Sequence, residues 1–352
     1  DLAMQFTKRL ATHPARQDFP LPIHATVTWQ PIESANQKQG SLWRTSVALA
    51  AVPESHIIVP SFACLEDDYQ YQWVLSSAVT ADSMENTSTL AAITPADSAA
   101  HRIFMHACDN GSGISAKIDC WHTQSDLLAV TAQLTLWLPH SLKPPEQDLV
   151  VISLRPIEQT ITALPNRLDR TRLAVPCPIS QMQAEPSIAK RICSPTATAM
   201  AVAGEQALKY WPAAVQACLD PHTKAYGKWP LAIYWASQNM RLGSVEALAD
   251  WPSALTVLKS GSPIVCSIRF GKDALPGAPL RQTGGHLVVL YGVEFDGESG
   301  FALVMDPAAA SHAEVARRYP LEAFSQAWLG QRGGAYLFSP TQTQTARIGD
   351  VP

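Results

Sequence analysis

The chain has 352 residues, 47% hydrophobic and 16% charged, with a net charge of −4. This apolar content excludes a generically disordered chain, and the length exceeds the about 250 residues at which single cores stop growing, so two domains are predicted. The slight acidity gives no electrostatic footing for nucleic acid or an anionic membrane, and no run reaches the ~18–20 apolar residues of a spanning helix.

Residues 1–40 are predicted as an N-terminal extension, and Asp1 to Phe6 holds no signal-peptide core. The compartment stays open between the cytoplasm and secretion after removal of a leader. Residues 41–160 carry short β-rich runs: Ser46 to Val52, His56 to Phe62, Tyr69 to Leu75, Arg102 to Ala107, Ala116 to Trp121, Leu127 to Leu138 and Leu149 to Leu154. Turn-forming clusters such as Asp109-Asn110-Gly111-Ser112-Gly113 separate them, which predicts an antiparallel β-sandwich.

Within it, His106-x-Cys108 and Cys120-x-His122 are symmetric about Ile114. An antiparallel hairpin centred there puts Cys108 opposite Cys120 and His106 opposite His122. Zinc, a cross-strand disulfide and plain packing all fit that pattern. The other cysteines are Cys64, Cys177, Cys193, Cys218 and Cys266, seven in all. An odd and sparse set argues for mostly reduced thiols rather than a disulfide-stapled scaffold.

Residues 155–180, with Pro156, Pro165, Pro176 and Pro178, read as a connector, and a mixed domain over 161–340 follows. Helices are predicted at Ser194 to Tyr210, capped by Ser194 with Pro195 in its first turn, at Trp229 to Asn239, at Ala247 to Ser260 with Gly261 as its stop, and at Leu321 to Trp328. Strands are predicted at Pro263 to Phe270, His286 to Phe295, Phe301 to Asp306 and Ala335 to Phe338. Helices followed by an antiparallel sheet make an α+β arrangement. The tail over 341–352 is polar and expected to fray.

Three positions in this second half carry chemistry. Cys193 opens the first helix, where the macrodipole favours a thiolate. His286 follows Gly284-Gly285, which allow close backbone approach. Asp306 ends the next strand. A tight turn at Asp296-Gly297 makes cross-strand partners sum to about 593, which puts Asp306 beside Leu287 and within one residue of His286. A carboxylate there holds one ring nitrogen and leaves the other for the thiol. The Cys193 backbone N–H and a side-chain amide, Gln181 or Gln183, are the candidate oxyanion donors.

These residues resemble a known family. The stretch from about Val175 to Pro340 is similar to the C39-like peptidases, a branch of the papain-like cysteine peptidases. The resemblance rests on Val175-Pro176 with Ser180-Gln181, on Cys193-Ser194-Pro195-Thr196 with Met200, and on Tyr226-Gly227-Lys228-Trp229-Pro230. It continues through Gly261-Ser262-Pro263-Ile264-Val265, Thr283-Gly284-Gly285-His286-Leu287-Val288-Val289 and Met305-Asp306-Pro307-Ala308. It implies Cys193 as nucleophile, His286 as base and acid, Asp306 as orienter and Gln181 as oxyanion donor. Trp229, Tyr226 and Gly285 are candidate substrate-binding residues. The implied reaction is hydrolysis of a peptide or amide bond through a Cys193 thioester, needing no metal or other cofactor, with a peptide-like substrate as partner. No G-x-x-x-x-G-K-[ST] motif or spanning segment accompanies it, so the leader-peptide substrate of transporter-linked members does not carry over. An acyltransferase using the same triad and a binding protein with a relic site stand as alternatives.

Overall fold

A computed structural model of the protein describes residues 4–16, 18–33, 40–78, 86–93, 106–110, 113–117 and 119–340. The tail over 341–352 and the first part of the strand expected at Arg102 to Ala107 lie outside the described residues. The architecture is α+β. In chain order the strands are β1 (Phe6–Ala11), β2 (Ala25–Thr26), β3 (Gln30–Ile32), β4 (Ser41–Val52), β5 (His56–Cys64), β6 (Gln70–Ala78), β7 (Asn86–Ile93), β8 (His106–Asn110), β9 (Ile114–Ala116), β10 (Trp121–Thr123), β11 (Leu127–Leu138) and β12 (Asp148–Pro156). They form two six-stranded sheets, ordered β2-β1-β12-β5-β10-β9 and β3-β4-β11-β6-β7-β8. Phe62 on β5 meets Tyr71 on β6 edge-on at 5.4 Å, so the two sheets share a buried aromatic layer. Three strands come from the segment expected as an extension; β1 pairs with β12 from Phe6↔Leu154 to Leu10↔Val150.

The hairpin inferred from the His-x-Cys and Cys-x-His symmetry does not form. β8 pairs with β7 in one sheet, and β10 pairs with β9 and β5 in the other. The tight turn lies around Lys117 and Asp119, with Lys117 N–H donating to the Cys120 carbonyl at 2.8 Å, so Trp121 faces Ala116. Residue spacing alone did not identify which turn closes the pair. Among the described residues no group of three or more His, Cys, Asp or Glu side chains is arranged to hold a metal ion. Among them, too, no helix is long and apolar enough to cross a membrane.

Among the described residues the second compact unit comprises Asp18–Pro22, Glu158–Leu219 and 225–340. Its strands are β13 (Thr171–Arg172), β14 (Gly243–Ala247), β15 (Ile264–Phe270), β16 (Thr283–Asp296), β17 (Ser299–Met305), β18 (Ala316–Pro320) and β19 (Gly334–Phe338). They form one antiparallel sheet in the order β14-β19-β15-β16-β17-β18, with β13 on β16. The helices are α1 (Cys193–Val202), α2 (Ala207–Ala217), α3 (Trp229–Gln238), α4 (Trp251–Lys259) and α5 (Leu321–Trp328).

The single helix expected over Ser194 to Tyr210 is therefore two, because Gly204 adopts φ +54, which a right-handed helix cannot continue through. The helix expected from Ala247 starts at Trp251. Asp250 sets that start by accepting from the Ser253 N–H at 2.9 Å, and the residues before it form β14. It stops at Gly261, φ +94, as expected. Ser194 does not cap α1. It is fully buried one residue inside the helix, with its hydroxyl 2.9 Å from that of Tyr336.

The core joins sheet to helices through aromatic rings. Trp251 meets Trp328 edge-on at 5.6 Å, and Tyr319 stacks on Phe324 at 6.3 Å. Trp251 Nε1 donates to Ser325 Oγ and Trp328 Nε1 to the Gly334 carbonyl, so neither buried indole loses its partner. The close backbone approach in this sheet is at Gly292, where an added Cβ would lie 2.7 Å from the Thr171 carbonyl oxygen on β13. Gly292→Ala is expected to cost about 1–3 kcal/mol. The check is chemical denaturation, with a lower midpoint and an unchanged slope.

Candidate active site

Three elements deliver three side chains to one place. Cys193 is the first residue of α1, His286 lies near the start of β16, and Asp306 directly follows β17. The sequence dictates each placement. Pro195 in the first turn of α1 costs no intrahelical bond there. The run Leu287-Val288-Val289-Leu290 is apolar, with two β-branched valines at its centre, and buries β16 in the sheet. Pro307 ends the pairing of β17, since it brings no N–H to the strand ladder.

His286 Nε2 donates to Asp306 Oδ1 at 2.8 Å. Their side chains are 5% and 2% exposed. The other carboxylate oxygen, Oδ2, accepts from the Tyr319 hydroxyl at 2.5 Å, and the Ala308 N–H reaches Oδ1 at 3.0 Å. With Nε2 taken by the carboxylate, Nδ1 remains for the thiol, and Cys193 and His286 are hydrogen-bonded.

The register of the hairpin differs from the expectation. The turn is Gly297-Glu298 rather than Asp296-Gly297, and Asp296 pairs with Ser299. A bulge at Tyr291 then shifts the sum of partner numbers from 595 to 594, as in Gly292↔Leu303 and Leu290↔Val304. Asp306 thus follows a strand whose last pair is Val289↔Met305. The side chains of His286 and Asp306 still meet.

The charges reinforce one another. Burial alone would push the Cys193 thiol up. The hydrogen bond and charge of His286, with the N–H groups of Leu287 and Ser194, outweigh it, and the thiol lies below its ordinary value. Burial would depress His286, but the Asp306 carboxylate and the Cys193 sulfur lift it to about 10. Burial would raise Asp306; His286, Tyr319 and the Ala308 N–H hold it below the usual carboxylate range. The favoured state is thiolate, imidazolium and carboxylate in a row. Cys193 is partly exposed, so this thiolate is reachable.

Gln181 is 3% exposed and starts a 3-10 turn capped by Ser180. Its N–H donates to the Pro307 carbonyl at 2.8 Å, and its Nε2 to the Ala189 carbonyl at 2.7 Å. It thereby bridges the Asp306 loop and the turn that precedes Cys193, while its buried Oε1 has no partner. Gln183 is exposed, with its amide on the Ala310 carbonyl. Tyr226 is partly exposed and lies under the Arg191 guanidinium at 5.4 Å, two residues before the thiol. Trp229 packs inward, 6% exposed, with its ring next to Gly334. The close approach expected at Gly284 and Gly285 is not made by protein atoms: both are exposed, and a Cβ on either meets nothing within 4 Å. Tyr319, His312 and the Leu287 N–H were not singled out by sequence reasoning. His312 Nδ1 accepts from the Ser180 N–H at 2.8 Å, beside the bond from Ser180 Oγ to the Ala309 carbonyl.

Residues 173–336 match the model of the Peptidase_C39 like family. The C-terminal half carries a peptidase C39-like domain. No match was found among curated proteins, and none among solved structures. All the residues of the site lie inside the C39-like stretch.

The pH dependence of thiol reactivity follows from the directions above. Below the depressed value of Cys193 the thiol is protonated and slow; above about 10 the imidazolium of His286 is lost. Alkylation by iodoacetamide should therefore be faster than for free cysteine at neutral pH, with its acid limb below the ordinary thiol value of about 8.5. In His286→Ala only the N–H groups of Leu287 and Ser194 remain against burial, and the rate should fall to that of free cysteine or lower. Pseudo-first-order alkylation across pH, with the modified residue located by mass spectrometry, measures both.

Proposed function

We propose that the C39-like domain is a papain-like cysteine peptidase that hydrolyses a peptide or amide bond through a thioester on Cys193. One observation carries this reading: a thiol at a helix start is hydrogen-bonded to an imidazole that a buried carboxylate holds by its other nitrogen. The Cys193 thiolate attacks the carbonyl carbon, and the carbonyl oxygen becomes an oxyanion. Its donors are the Cys193 N–H, unused at the first helical position, and the Gln181 amide. As the C–N bond breaks, the imidazolium of His286 gives its proton to the leaving amine, and the acyl group stays on sulfur. Neutral His286 then takes a proton from water, the hydroxide attacks the thioester, and the acid leaves as the thiolate–imidazolium pair is restored. Asp306 keeps the ring oriented and stabilises its charge in both halves without itself taking the proton. The N-terminal pair of sheets, read as a β-sandwich, binds or positions the peptide-like substrate.

The test is cleavage of a mixed peptide library, read by mass spectrometry. New termini should appear with the native chain and be absent with Cys193→Ala. Gln181→Ala should lower kcat by about 10²–10³, the usual cost of one oxyanion donor. Acyl transfer to an added amine that outruns hydrolysis would assign the site to an acyltransferase, and no turnover beside an unreactive thiol would leave a relic site.

A further inference from the structure

We propose that Tyr319 is a positioning residue for the reaction at Cys193, its hydroxyl fixing the Asp306 carboxylate and, through it, the ring of His286. This rests on the peptidase reading above and adds a neutral donor behind the row of charges.

Three observations support it. The Tyr319 hydroxyl donates to Asp306 Oδ2 at 2.5 Å, on the oxygen that His286 does not use. Tyr319 is fully buried, and no solvent can replace that donor. Its ring stacks on Phe324 at 6.3 Å, in the same aromatic core as Trp251 and Trp328, so the hydroxyl is held on a rigid mount. With the Ala308 N–H on Oδ1, the carboxylate receives donors on both oxygens, and its plane is set by groups from β16, β18 and its own loop.

The ionisable groups acting on Asp306 are His286 and Tyr319, and those acting on Tyr319 are Asp306 and Arg317. Arg317 is hydrogen-bonded to the phenol oxygen. A guanidinium there strengthens the phenol as a donor to the carboxylate. The chain of contacts thus runs from Arg317 through Tyr319, Asp306 and His286 to the thiol. Loss of the phenol leaves a buried carboxylate oxygen without a donor. The ion pair between Asp306 and His286 then competes less well with its neutral form, and the imidazolium loses its support. The range of pH over which thiolate and imidazolium coexist should narrow from its acid side.

The experiment is the alkylation profile of Cys193 against pH for the full chain and for Tyr319→Phe, Arg317→Gln, Asp306→Asn and Asp306→Asn/Tyr319→Phe. In Tyr319→Phe the acid limb should rise by about one pH unit, the scale set by one hydrogen bond to a charged group. Arg317→Gln keeps the phenol and its packing, and should move the acid limb the same way by less. The double variant should match Asp306→Asn, because Tyr319 acts only through the carboxylate. A purely structural tyrosine would lower the thermal midpoint and leave the acid limb in place. An unmoved acid limb in Tyr319→Phe, or in Arg317→Gln where the first variant does not fold, overturns the proposal. So does a double variant that is worse than Asp306→Asn. A native profile with no depressed acid limb fails earlier and differently, since it removes the thiolate–imidazolium pair itself.

Discussion

The Asp306 carboxylate is 1% exposed, and an ionised group at that depth persists only where its oxygens are answered. Here they are answered three times, by a ring N–H, a phenol and a backbone N–H. Each donor comes from a different place in the chain: β16, β18 and the loop after β17. The second unit must therefore be assembled before the carboxylate is stable as an anion. Once stable, it makes the imidazolium favourable, and the imidazolium makes the thiolate favourable. Electrostatics run outward from the core to the surface, from a buried carboxylate to a partly exposed thiol.

The thiol end of this row is set by the helix that carries it. Every residue of α1 from Ser194 to Val202 is buried, and Ser194 is tied to Tyr336 on β19. Such a helix cannot roll or slide, so the position of its first residue is fixed by the packing of all the others. The helix start contributes some electrostatic help, worth a few tenths to about 1 kcal/mol. The larger influence comes from His286, whose hydrogen bond and charge are the leading forces against desolvation of the sulfur. The imidazole, more than the helix, makes the residue reactive.

Much of this was legible in the chain, for local reasons. Pro195 and the Ala-rich run announce a helix beginning at Cys193, and the β-branched stretch after His286 announces a strand. The turn was placed within one residue, because Gly297 is the position that needs φ +60. The bulge at Tyr291 was invisible, since it answers to Gly292 and the approach of β13 from far upstream. Tyr319 was invisible for a related reason. Arg317-Arg318-Tyr319-Pro320 reads as a polar edge strand, and only its register opposite Ala302 sends the phenol inward. The pairing proposed for Cys108 and Cys120 failed because symmetric spacing fits any turn between them. The strands of the first 33 residues were missed because Phe6–Ala11 carries Lys8 and Arg9 in a six-residue run, and its partner β12 is more than a hundred residues away.

Reactivity and access are assigned to different residues in this site. His286 and Asp306 are closed off from solvent, which strengthens the interactions between them. Cys193 is partly exposed, and beside the base the strand carries two exposed glycines whose missing Cβ atoms leave open space. Side chains at 284 and 285 would project into that space, next to the ring of His286. Neither glycine adopts positive φ, so backbone conformation does not require them. Nor does internal packing, since no protein atom lies within 4 Å of either added Cβ. What remains is the open space they leave beside His286, which the proposed peptide-like substrate would use.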